Sequence, residues 1–84
     1  MGRGTYGGVM IDERDIREFS RIGEKDGKRF NVLVWQPRHG NPFVRAIRFE
    51  DSHVKNLEFP LFGGQFTTED DAFDAAFDLA LSLL

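Results

Sequence analysis

The 84 residues predict a single α+β domain, with an antiparallel sheet of three to four strands packed against one C-terminal helix. Three observations point there. The stretch Thr67–Leu84, TTEDDAFDAAFDLALSLL, joins a threonine cap and an acidic first turn to a run of alanine, leucine and phenylalanine. Arg29–Gln36 (RFNVLVWQ) and Phe43–Glu50 (FVRAIRFE) are rich in β-branched and aromatic residues and flank a strong turn signal, PRHGNP. No internal repeat or long linker divides the chain.

The helix is the best-defined element. Thr67 or Thr68 caps the free N–H groups of the first turn, with Asp70 or Asp71 three residues on in the capping-box position. Glu69, Asp70 and Asp71 set negative charge at the positive end of the helix dipole. At 100° per residue, Asp70, Asp74, Asp78 and Ser82 form one edge, with Asp71 beside them. Ala72, Ala76 and Ala80 form a shallow valley between Leu79 and Leu83 on one side and Phe73, Phe77 and Leu84 on the other. The apolar arc is roughly twice the ~100° that packing on one sheet requires. Phe73 and Phe77 are therefore expected in the core. The surplus flank is expected to be exposed, with Leu81 inside the acidic edge and part of Leu83 or Leu84 at the chain end, and to meet another protein or a second copy.

Size and composition limit the rest. A domain this small has a barely sufficient core, and the chain has no cysteine to form a disulfide or a thiolate zinc site. Nine phenylalanines, Trp35 and Tyr6 must supply the burial. The net charge of −3 argues against a uniformly basic nucleic-acid-binding surface. No run is long and apolar enough for a membrane span, the N-terminus lacks a signal-peptide layout, and the absence of cysteine fits a reducing cytoplasm.

Met1–Thr5 is read as a flexible N-terminus and Tyr6–Ile11 as a short strand weakened by Gly7 and Gly8. Asp12–Ile22, DERDIREFSRI, supports two readings. As a helix, the preferred one, it has Asp12 as N-cap, Gly23 as its stop, a Glu13–Arg17 pair, and Ile16, Phe19 and Ile22 on one face. As a strand, Ile16–Glu24 pairs with Arg29–Gln36 through an Asp26-Gly27 turn. In the hairpin, alternation sets Phe30, Val32 and Val34 against Leu33 and Trp35, and Phe43, Ile47 and Phe49 against Val44 and Ala46. One face takes the helix, and the other needs separate cover. Asp51–Asn56 reads as a loop. Leu57–Phe62 reads as a short edge strand interrupted by Pro60, and Gly63 and Gly64 free the chain to turn.

The segments YGGVMI, RFNVLVWQPR, FVRAIRFE and QFTTEDDAFDAAFDLA resemble small bacterial and phage proteins of unknown function, in which a few strands run into one C-terminal helix. The ending PLFGGQFTTEDDAFDAA is similar to the strand-to-helix step of HicB-type antitoxins. The resemblance implies a strand-rich sheet with one packed helix, and a binding role more than an enzymatic one.

The chemistry-bearing residues agree with binding. Asp51-Ser52-His53 has the letters of a hydrolase triad, but triad members are gathered by the fold and are not normally consecutive, and no nucleophile elbow is present. His39 and His53 lie in polar loops without metal-ligand spacing, and GRGTYGG lacks the lysine and hydroxyl residue of a phosphate loop. No catalytic residue, metal or cofactor is expected. Charge is divided: Lys25, Lys28, Arg29, Arg38, His39, Arg45 and Arg48 surround the hairpin, and five acidic residues lie on the helix. The expected function is non-enzymatic protein binding through Asp70, Asp71, Asp74, Asp78, Leu81 and Leu84. One form of it is an inhibitor whose carboxylates stand where a nucleic acid's phosphates would sit. The alternative is nucleic-acid binding through Arg29, Trp35, Arg38, Arg45 and Arg48.

Overall fold

The computed structural model describes residues 15–50, 52–59 and 66–84. Strands β1 (Ile16–Lys25), β2 (Lys28–Pro37), β3 (Phe43–Phe49) and β4 (Leu57–Glu58) form one antiparallel sheet in chain order, and helix α1 (Glu69–Leu83) packs on one of its faces. This is the predicted α+β architecture. The expectations for Met1–Thr5, for Tyr6–Ile11, for the Asp12 cap with Glu13, for Asp51, and for Pro60 to Gln65 lie outside the described residues.

Ile16 to Ile22 is strand, which overturns the preferred helical reading. The turn decides it. Asp26 (φ 53°) and Gly27 (φ 81°) both take positive φ, the pattern of a two-residue type I′ turn, whose twist matches that of the strands it joins. Lys25 is thereby set opposite Lys28, and the register runs on to Ile16 opposite Pro37. The helical spacing of Ile16, Phe19 and Ile22 misleads because a strand alternates. Phe19 packs towards the core, while Ile22 points to the other face and stays 68% exposed. Gly27→Ala should cost about 1–2 kcal/mol in urea denaturation, since Cβ disfavours positive φ. A loss below about 0.3 kcal/mol would show that the turn is not held in this conformation.

A bulge redistributes the second hairpin. Leu33 pairs with Ala46 but Val34 pairs with Val44, so Arg45 is the extra residue of β3. Beyond it the pleat is reversed. Val44 joins Ile47 and Phe49 on the helix side, while Phe43 joins Ala46 on the far side, against Trp35 at 6.4 Å between centroids. Simple alternation had placed Phe43 with Ile47 and Phe49. The bulge also turns the Arg45 guanidinium over Trp35 (5.0 Å) and lets its Nη1 donate to the Phe59 carbonyl at 2.9 Å. β4 is only two residues long, with Leu57 opposite Ile47. The Phe59 N–H adds one more bond, to the Arg45 carbonyl.

Thr68 is the N-cap of α1, and its hydroxyl oxygen accepts from the Asp71 N–H at 3.1 Å. Ala72, Phe73, Ala76 and Ala80 are buried against Phe30, Val32, Val34 and Ile47. The alanine valley lets the helix backbone lie close over β2 and β3, and Phe73 fills the space beside it. Phe77 is half-buried and meets Phe30 edge-on at 5.0 Å.

Candidate protein-binding surface

Two cations of β1 fix how α1 sits. Arg21 pairs with Asp70 in the first turn, and its guanidinium lies 4.2 Å above the Phe73 ring. Lys25 Nζ donates to the Leu81 carbonyl at 3.1 Å, supplying the positive charge that the last turn of the helix lacks in its own sequence. Asp70 and Leu81 are eleven residues apart on a helix, about 16 Å. Arg21 and Lys25 are four apart on a strand, about 14 Å. The match means that α1 runs alongside β1 in the same direction. The Arg21–Asp70 pair is half-exposed and contributes at most about 1 kcal/mol, so its effect is mainly on orientation.

That orientation re-sorts the predicted site. Asp71, Asp74 and Asp78 are exposed on the outward side of α1, and Asp70 is engaged by Arg21. Leu81 and Leu84, expected at the exposed apolar flank, are half-buried and packed against the core instead. The reason is the length of β1: it extends beneath the flank carrying Phe77 and Leu81, as the bond from Lys25 records. On the opposite flank the edge strand β4 has two residues, and there Leu79 (39% exposed) and Leu83 (43%) are left uncovered beside the exposed Ala75. The outward surface of α1 is therefore a row of carboxylates next to a row of apolar side chains. The sequence leaves Leu83 or Leu84 as alternatives for exposure, but only the unequal width of the sheet shows that Leu79 stands outside with Leu83.

The same register sets Arg29, Trp35 and Arg48 on the sheet face away from α1, with Arg45 turned over Trp35. Trp35 donates its indole N–H to Glu18 at 2.8 Å, Arg45 is committed to Trp35 and the Phe59 carbonyl, and Arg38 lies 3.6 Å from Asp15. Arg29 and Arg48 are exposed. Alternation sets Glu18 and Glu24 of β1 on the same face, opposite Trp35 and Arg29. A phosphate backbone crossing this face would meet carboxylates of β1 beside the arginines, an arrangement that weakens the nucleic-acid reading.

No family model, curated protein or solved structure matches the chain. These comparisons leave the resemblance to HicB-type antitoxins resting on the sequence alone. Among the described residues no helix is long and apolar enough to cross a membrane.

Proposed function

We propose that the chain is a non-enzymatic protein-binding module whose partner docks on the outward surface of α1. One observation carries the reading: Asp71, Asp74 and Asp78 stand exposed beside Leu79 and Leu83, on a helix whose sheet-facing side is already filled. Apolar contact supplies affinity, and the carboxylates select a basic partner and speed its approach. A second copy docked face to face would bring two acidic rows together, so a basic heterologous partner fits better than a homodimer. An inhibitor that offers carboxylates in place of phosphates is the bacterial or phage form of this reading, and the cytoplasm is the compartment it assigns.

The test is reconstitution with a purified partner recovered on the wild-type chain. Binding should weaken at least tenfold in Leu79→Asp/Leu83→Asp, weaken similarly in Asp71→Lys/Asp74→Lys/Asp78→Lys, and decline as salt rises. Circular dichroism should show both variants folded. A complex indifferent to both variants would refute the surface. Submicromolar, salt-sensitive binding to a DNA or RNA oligonucleotide, lost in Arg29→Glu/Arg48→Glu, would establish the alternative.

A further inference from the structure

Beyond the outward face of α1, β1 presents a second surface with a different chemistry. It is a ten-residue strand at the edge of the sheet, and among the described residues no strand pairs with its outer side. The outer side of such a strand presents backbone N–H and C=O groups at every second residue, and another extended chain satisfies such a row most fully. The opposite edge of the sheet, β4, has only two residues and gives no comparable platform.

Alongside this edge runs an open groove of about 440 Å³ between β1 and α1, lined by Arg21, Ile22, Phe73, Asp74 and Phe77. The groove is already formed, because Arg21 and Lys25 hold the helix alongside the strand at both ends. Its charge is uneven. Arg21 is paired with Asp70, and no ion pair among the described residues engages Asp74, on the helical wall. A strand laid along β1 would direct every second side chain over this groove, about 7 Å apart. Apolar side chains there would cover Phe77, and a cation would meet Asp74.

We infer that the outer edge of β1, with the groove it forms against α1, is a strand-addition site for an extended peptide segment of a partner. On its groove-facing side that segment carries apolar residues and a lysine or arginine. Main-chain pairing gives affinity and the groove gives specificity. The site is distinct from the Leu79–Leu83 surface, with Asp74 lying between the two.

The experiment uses the full chain, isotopically labelled, and an acetylated, amidated heptapeptide. The peptide has valine, lysine and valine at its second, fourth and sixth positions and threonine elsewhere. Amide hydrogen exchange should slow at least tenfold at alternate residues of Ile16–Lys25 when peptide is added to millimolar concentration. The same peptide N-methylated on alternate amides should have no effect. Asp74→Lys should raise the half-saturating concentration about fivefold. Leu79→Asp/Leu83→Asp should leave the protection unchanged, so that failure of the helix surface and failure of this one are separable. Four results would each overturn the inference. They are unchanged β1 exchange, equal slowing by the N-methylated peptide, alternate β1 amides already protected in the free monomer, and protection that rises with protein concentration without peptide. The third would mean that the chain fills this edge itself, and the fourth that a second copy does.

Discussion

Phe73→Ala should cost the fold about 3–5 kcal/mol, most of the stability expected of a domain this small. The ring is 1% exposed and lies in the cluster formed by Phe30, Val32, Val34 and Ile47 with the three alanines of α1. Those alanines cannot close the cavity, because their methyl groups already rest on the sheet and have no length in reserve. The Arg21 guanidinium above the ring would lose its aromatic partner as well, leaving Asp70 as its remaining contact. Equilibrium urea unfolding is the measurement. Phe77→Ala provides the internal control, since the half-buried Phe77 ring should cost less than Phe73. The reverse order would mean that α1 is rotated by about one position from the face described.

The sequence presents Phe73 and Phe77 as equals, and that limit is general in this chain. Features settled by local chemistry were legible: the Thr68 cap with its acidic first turn, the alanine valley, the strands on either side of PRHGNP, and the Asp26-Gly27 turn as one of two readings. Features settled by neighbours were not. The helical spacing of Ile16, Phe19 and Ile22 competes with the strand pattern within Asp12–Ile22, and only pairing with β2 decides between them. The Arg45 bulge has no glycine to announce it, so the exchange of Phe43 and Val44 between faces could not be read from alternation.

The candidate surface shows the same division. Its carboxylates are where helical geometry puts them, and Asp71, Asp74 and Asp78 need no tertiary information to be found. Leu81 is half-buried where the sequence suggests exposure, because the choice between Leu79 and Leu81 depends on which flank of α1 the longer edge of the sheet supports. Arg21 and Lys25 make that choice from more than 45 residues away in sequence. The basic residues Arg29, Arg45 and Arg48 do share a face of the sheet with Trp35, but the strand that pairs with β2 sets Glu18 and Glu24 on that face as well, which the hairpin's own sequence does not show.

Gly23→Ala should destabilise the fold by about 1–3 kcal/mol, although backbone propensity alone predicts a gain. Gly23 sits within β1 opposite Phe30, on the face covered by α1. A Cβ added there would run into the Phe30 ring and come within 2.8 Å of the Phe77 ring. Its backbone is not in the left-handed region, so the requirement is for space rather than for unusual φ. Phe30 cannot yield easily: it is 1% exposed, with Phe49 at 6.2 Å and Phe77 at 5.0 Å between centroids. The glycine is thus a flat seat for two rings, where the helical reading of this stretch would make it a helix stop. A double-mutant cycle separates the two roles. Shortening the ring in Phe30→Leu should relieve part of the clash, so Gly23→Ala should cost at least about 1 kcal/mol less in that background than in the wild type. A neutral or stabilising Gly23→Ala, or effects that simply add, would show that the rings do not rest on Gly23. The packing of the helix-facing core at β1 would then have to be redrawn.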